Sequence, residues 1–307
     1  VTLSNQQQEN QQGLADVGII GLGIMGSWYA RHMLDAGLTV CGFDPAEERQ
    51  KMFQAAGGRP CASPGAVIDG AAVILTALSS IAAFRSVMLG PQAAAAMART
   101  GQIFVELGTL PIDLKEAARL QLQQLGAVMI DAPVTGTSLH AERKELIIYA
   151  SGDHGAFASV AGLLQTFALD VRFVGPFGTG MKLKMVTNHL VAIHNIATAE
   201  ALSFAASAGL DLQLVYDLIA GGPASSAVFG FRAPLMIAGR YVPPTMRLDV
   251  FSKDLDIISD FSSELGAAMP MFEAGSQIYR QAIDQGLDGE DVAATFKLLR
   301  IASRAQR

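Results

Sequence analysis

Lys184, Asn188 and Asn195 lie within roughly 40° of one another if the chain around them is a helix, because each residue turns about 100°. The run that carries them, from Leu183 to about Ala208, is otherwise apolar nearly all round, which is the pattern of a buried helix. A lysine and two amides on one line of such a helix are costly unless the line borders a polar cavity. The competing reading is a lysine that only snorkels to solvent.

A second set of residues lies near the start of the chain. From Asp16 the sequence reads as a buried strand, a glycine turn, an amphipathic helix ended by Gly37, and a second strand that ends at Asp44. The turn Gly21-Leu22-Gly23-Ile24-Met25-Gly26 fits G-x-G-x-x-G. In that pattern the first glycine allows the turn, the second lets a pyrophosphate approach the backbone, and the third lets helix pack on strand. Asp44 follows at the distance expected of an acid that binds an adenosine ribose. No arginine follows it directly; Pro45, Ala46, Glu47 and Glu48 come instead, and the two acids would repel a 2′-phosphate. The cofactor expected is therefore NAD, in preference to NADP.

Further strands are expected at Ala72–Leu78, Ile103–Glu106 and Val128–Asp131, with helical segments such as Ile112–Leu125 between them. Leu146–Ser151 and Val171–Val174 complete the domain. Alternating strand and helix imply a Rossmann-type, doubly wound and mostly parallel α/β sheet, which places ligands beyond the carboxyl ends of its strands. Leu78-Ser79, Gly108-Thr109 and Asp131–Gly136 fall there. Gly175, Pro176, Gly178 and Gly180 then mark a tight connection into a long helix starting near Gly180. Runs at Leu212–Ala220, Phe251–Leu265 and Phe272–Gln285 predict an all-α C-terminal domain joined to the first by that long interdomain helix. The expected division is a mobile tail over 1–12, a dinucleotide-binding domain over 13–176 and a helical substrate and oligomerisation domain over 177–307.

Composition narrows the function classes. The 307 residues are 50% hydrophobic and carry a net charge of -6 with both signs scattered, so no basic footprint for nucleic acid or an anionic membrane is present. Cys41 and Cys61 cannot form a disulfide framework, and neither has metal-ligand spacing around it. His189 and His194 are five apart, on different helix faces, so no metal is expected there. No apolar stretch reaches ~18 residues without polar interruption, and the beginning of the sequence lacks a basic, apolar leader. These features predict a soluble cytoplasmic protein. The apolar long helix has faces that one small domain cannot cover, which predicts a homodimer or homotetramer.

Taken together, G-L-G-I-M-G at Gly21–Gly26, D-A-P-V-T-G at Asp131–Gly136, G-T-G-M-K-L-K-M-V-T-N from Gly178 to Asn188 and Lys253-Asp254-Leu255 resemble the β-hydroxyacid dehydrogenase family. The resemblance runs from Val17 almost to the C-terminus. It implies hydride transfer between NAD(P) and a small 3-hydroxy acid or its semialdehyde. It also implies that Lys184 is the catalytic lysine and Asn188 its partner, that Thr135 and Gly136 hold the substrate carboxylate, that Thr109 lies near the nicotinamide, and that Lys253 reaches to the cofactor side. Four departures bear on the substrate. Thr137 and Lys144 stand where glycines are usual, Gly108 where serine is common, and Ala83 where asparagine is frequent. Imine reductases resemble the same scaffold but usually lack the lysine. A non-catalytic dinucleotide-binding module would be expected to lose the lysine or the glycine turn, and both are kept. A 6-phosphogluconate dehydrogenase would need a longer chain and a basic cluster for its substrate's phosphate.

Overall fold

The computed structural model describes residues 15–305, with side chains described to residue 301. The expected tail over 1–12 lies outside the described residues. The chain divides into two compact units, residues 1–184 and 185–307.

The first unit runs β1 (Val17–Ile20), α1 (Ile24–Asp35), β2 (Val40–Phe43), α2 (Glu47–Ala55), β3 (Arg59–Pro60), α3 (Pro64–Gly70), β4 (Val73–Thr76), α4 (Ile81–Met88), β5 (Ile103–Glu106), α5 (Ile112–Gln124) and β6 (Val128–Asp131). The six strands form a parallel sheet in the order β3-β2-β1-β4-β5-β6. Parallel strands are covered on both faces, and the side chains here divide two ways along each strand. Ile19, Leu75, Val105 and Ile130 enter one hydrophobic core, while Ile20, Ile74, Phe104 and Met129 enter the other. The chain leaves β1 towards β2 and β3, then returns to β4 on the opposite side. The gap between the ends of β1 and β4 is thus the point where a doubly wound sheet receives its ligand.

β7 (Val134–Thr135), α6 (Ser138–Glu142), β8 (Ile147–Ala150), α7 (His154–Leu164) and β9 (Asp170–Phe173) follow. The runs at 146–151 and 171–174 complete the unit without extending the main sheet. With β7 they form a three-stranded sheet, β7-β8-β9, in which β7 is antiparallel to β8. It meets the main sheet through the bridge between Asp131 and Ser151. Val134, Ile148, Val160 and Leu164 share the first core, so one hydrophobic cluster holds both sheets. β3 and β7, each two residues long, escaped the sequence reading because alternation needs at least four residues to register.

The second unit is helical. α8 (Thr179–Ser207) begins in the first unit and runs on into the second, followed by α9 (Leu212–Ile219), α10 (Ala227–Ala238), α11 (Leu248–Leu265), α12 (Pro270–Asp284) and α13 (Thr295–Ala305). Asp211 and Ser226 cap the N-termini of α9 and α10 through their side chains. Gly239 and Gly266, at φ of 63° and 64°, end α10 and α11 in the left-handed conformation that glycine adopts without steric cost. Length and hydropathy alone would let α8 cross a membrane. Its buried polar residues mark it instead as a core helix. Asn195 is fully buried and donates from Nδ2 to the Tyr279 hydroxyl at 3.0 Å, the Val292 carbonyl at 3.1 Å and the Thr295 hydroxyl at 3.2 Å. That network joins α8 to α12 and to the start of α13. The amide nitrogen of Asn195 is thus held inside the helical core, while its Oδ1 has no hydrogen-bond partner among the described residues.

Candidate active site

The three glycines of the first turn meet three different environments. Gly21 has φ of 101°, and a Cβ there would lie 2.4 Å from the Ala77 carbonyl oxygen. A Cβ on Gly26 would lie 2.0 Å from the Gly21 carbonyl oxygen, so this glycine lets α1 close on the turn. Gly23 is the open position, where a Cβ would meet nothing nearer than Arg49 Nη1 at 3.6 Å. The turn is thus tight where the chain must reverse, close where helix packs, and open where a pyrophosphate would approach. Gly23 is also the N-cap of α1, with no side-chain cap, so the first-turn N–H groups of Ile24 and Met25 are left for a ligand. These residues fit a dinucleotide, which would lie with its phosphates at the N-terminus of α1.

Asp44 is buried just past β2 and binds back to the glycine turn. Its Oδ2 accepts the Leu22 N–H at 2.9 Å and its Oδ1 the Ala46 N–H at 3.0 Å. Arg49 Nη1, from the first turn of α2, lies 3.2 Å from Oδ2. Arginine is absent from the position directly after Asp44, but one helical turn brings Arg49 back to it.

Leu78-Ser79, Gly108-Thr109 and Asp131–Gly136 follow β4, β5 and β6 at the same end of the sheet. Beneath them lies a buried charge network that the sequence reading missed. Glu106 is fully buried; its carboxylate accepts the Gly108 N–H at 2.7 Å and the Thr76 hydroxyl. Burial pushes the Glu106 carboxyl above the ordinary range, opposed by the charge of Lys115 and by those two hydrogen bonds. Lys115 Nζ donates to the Gly108 carbonyl and to Asp131 Oδ1, both at 2.7 Å. Asp131 Oδ2 accepts the Met181 N–H at 2.9 Å and the Ser151 hydroxyl at 3.0 Å, and Ser151 Oγ accepts the Gly180 N–H at 3.0 Å. The backbone before Thr109 is thereby tied to the first turn of α8, two turns of which lead to Lys184. A signal was present: Lys115 lies on the buried face of α5 with Leu114, Ala118 and Leu122, where a lysine requires a partner.

The network also explains a departure from the family pattern. A Cβ at Gly108 would lie 2.5 Å from Glu106 Oε1, so serine there could not coexist with this carboxylate placement.

Thr135 lies in β7 and Gly136 directly after it. Thr135 Oγ1 is buried with no hydrogen-bond partner among the described residues, an arrangement costly enough to point to a ligand atom. Gly136 has φ of 138°, and a Cβ would lie 2.5 Å from Leu146 Cδ2. Thr137, in place of the usual glycine, becomes the N-cap of α6. Its N–H donates to His140 Nδ1 at 3.1 Å, closing a capping box. Lys144 has φ of 59°, a left-handed conformation that explains why glycine is common at this position.

Lys184, 7% exposed, lies in the second turn of α8, with Asn188 one turn further on. In the second unit, Asn188 Nδ2 donates to Asp254 Oδ2 at 2.9 Å, and Lys253 Nζ lies 3.1 Å from Asp254 Oδ1. Asp254, absent from the sequence-derived site, therefore links Asn188 on α8 to Lys253 on α11. Among the described residues no group of three His, Cys, Asp or Glu side chains could hold a metal ion.

Known proteins match over nearly the whole chain. The NAD binding domain of 6-phosphogluconate dehydrogenase matches residues 16–175. The NAD-binding domain of NADP-dependent 3-hydroxyisobutyrate dehydrogenase matches residues 178–299. An L-threonate dehydrogenase of Cupriavidus necator is 32% identical over 92% of this chain and 95% of its own length. The mitochondrial 3-hydroxyisobutyrate dehydrogenase of Mus musculus is 28% identical, over 92% and 87%. The crystal structure of a 3-hydroxyisobutyrate dehydrogenase from Salmonella typhimurium superposes with a TM-score of 0.84 at 28% identity, over 92% of this chain and 99% of that one.

Proposed function

Because the chain belongs to the β-hydroxyacid dehydrogenase family, and is thus an NAD(P)-dependent oxidoreductase of hydroxy acids, we propose that it oxidises a small 3-hydroxy acid with Lys184 moving the hydroxyl proton. The observation that carries this reading is a lysine 7% exposed on a helix whose first turn is held by Asp131 and Ser151. A bound nicotinamide would supply the acceptor for the hydride leaving the carbinol carbon. Lys184 takes the hydroxyl proton as the carbonyl forms, and returns it in the reverse direction. A lysine suits that task because an ammonium can release and recover a proton, whereas an arginine holds its proton. Asn188, itself oriented by Asp254, directs the hydroxyl or the lysine. The buried Thr135 hydroxyl and the backbone at Gly136 bind the carboxylate, which fixes the hydrogen presented for transfer. Leu22–Met25, Leu78-Ser79, Thr109 and Lys253 serve the cofactor.

NAD is the preferred cofactor in this reading, supported by Asp44 beside the glycine turn. A panel of small hydroxy acids and their semialdehydes tests substrate and cofactor together. It should include L-threonate, 3-hydroxyisobutyrate and 2-(hydroxymethyl)glutarate, for which relatives are named. We expect a 3-hydroxy acid to give the highest kcat/KM, and NAD to exceed NADP on it. Equal or better use of NADP would remove the cofactor preference.

The active form is a homodimer or homotetramer in the cytoplasm. Support for assembly comes from α8, where Leu183, Val186, Leu190 and Phe204 form an exposed apolar stripe and Phe204 is 76% exposed. Light scattering at micromolar concentration is expected to give at least twice the mass of one chain, and a stable monomer would contradict it.

A further inference from the structure

We propose that His140 is a positioning residue for the substrate's carboxylate, acting through the Gly136–Thr137 peptide; this rests on the reading above in which Thr135 and Gly136 hold that carboxylate.

Thr137 and His140 stand three residues apart, across the first turn of α6. The Thr137 N–H donates to His140 Nδ1 at 3.1 Å, and the Thr137 hydroxyl lies 2.9 Å from the same nitrogen. A backbone N–H can only donate, so Nδ1 presents its lone pair and the neutral ring carries its proton on Nε2. The hydroxyl then donates to Nδ1 as well. The Thr137 carbonyl accepts the Ala141 N–H at 2.9 Å, so every polar group of Thr137 is committed within α6. The turn is itself anchored. His32 Nε2, on α1, donates to the Ala141 carbonyl at 2.8 Å, and the Glu145 N–H donates to the His140 carbonyl at 2.8 Å.

The consequence falls on Gly136. Its φ of 138° lies where side chains are rarely tolerated, and it has no side chain by which neighbours could hold it. Its ψ is set by the peptide that follows, and the N–H of that peptide is the one bound to His140. Packing adds to the bond, because a Cβ at Gly136 would lie 3.1 Å from His140 Cβ and 3.6 Å from its Cγ. On the other side of Gly136 is the buried Thr135 hydroxyl, which has no partner among the described residues. The two departures from the family's glycines, Thr137 and Lys144, bracket this same turn. Glycine at 137 would lack the hydroxyl and leave the backbone freer, whereas threonine and histidine together hold it in one conformation. His140 thus preorganises the carboxylate-binding backbone and lowers the ordering cost of binding, without touching the reacting carbon. A remote group bound equally before and during reaction changes KM and leaves kcat.

Steady-state kinetics of His140→Leu and His140→Asn on the best hydroxy acid test this. The two side chains are nearly equal in size, and only asparagine offers an acceptor, its Oδ1, close to the place of Nδ1. The expected result in His140→Leu is a rise of at least ~10-fold in KM for the hydroxy acid, with kcat within about threefold. His140→Asn should stay within about threefold of the unsubstituted chain in both constants. NADH should bind both variants as it binds the unsubstituted chain, which also reports folding. The Thr137 amide should exchange slowly with deuterium in the unsubstituted chain and at least ~10-fold faster in His140→Leu. An unchanged or lowered KM in His140→Leu, equal rises in both variants, or a Thr137 amide that exchanges freely in the unsubstituted chain would overturn the inference. So would a His140→Leu chain that no longer binds NADH, since the role would then be structural. If the unsubstituted chain oxidises no hydroxy acid, the functional reading falls and this inference with it.

Discussion

Replacing Lys184 with methionine is expected to lower turnover on the best hydroxy acid by at least ~100-fold, the usual contribution of a general acid–base group. Cofactor binding should hardly change, because the proposed seats of the pyrophosphate, Gly21–Gly26, and of the adenosine, Asp44, are left intact. The two readings of this lysine diverge most sharply here. A side chain that only reached solvent would leave activity near its original level in Lys184→Met, and its removal from a packed helix could raise stability. At 7% exposure, Lys184 has little access to bulk water, which weighs against that alternative. Lys184→Arg should not rescue, since guanidinium keeps its proton near neutral pH. The rise of the oxidation rate with pH that a general base gives should vanish in the variant. A Lys184→Met protein that retains most of its turnover would remove lysine from the mechanism.

Lys115→Met should destabilise the fold by about 3–5 kcal/mol, the cost of breaking a buried ion pair by removing one partner. Lys115 and Asp131 are both fully buried, and Glu106 also faces the lysine's charge. Without Lys115, two buried carboxylates lose their cation. The sign of the pH dependence follows. A carboxyl whose folded-state pKa lies above its unfolded value binds protons more readily when folded. Its presence therefore costs stability as pH rises above the ordinary carboxylate range near ~4. The deficit of Lys115→Met relative to the unsubstituted chain should be smaller at pH 5 than at pH 8, measured by urea unfolding. A deficit under about 1 kcal/mol, or one that grows on acidification, would mean that the buried acids are not held by this lysine. Because Lys115 also grips the Gly108 carbonyl and Asp131 grips the Met181 N–H, kcat should fall in the folded fraction as well.

Much of this was legible because the physics is local. Gly21, Gly23 and Gly26 sit between a wholly buried β1 and an amphipathic α1, and the spacing of that turn is dictated by the chain reversal itself. The strands at 103–106 and 128–131 were found to the residue because buried runs bounded by turns are long enough to read. Lys184 stood out by the same logic, as a charge on a helix with no polar face.

What the sequence alone determined is therefore the doubly wound sheet, the glycine turn between β1 and α1, and the long helix with Lys184 and Asn188 one turn apart. Only the tertiary structure decided which polar groups are consumed by the fold and which are left for ligands. Asn195 shares the helical line of Lys184, yet Tyr279, Val292 and Thr295, all more than 80 positions away in the chain, take up its amide nitrogen. Arg49 lies beside Asp44, and Lys115 beside Asp131, because helix turns and parallel crossovers bring distant positions to one strand end. Periodicity reports which face of an element is apolar; it carries no information on the partner that a buried polar side chain will meet.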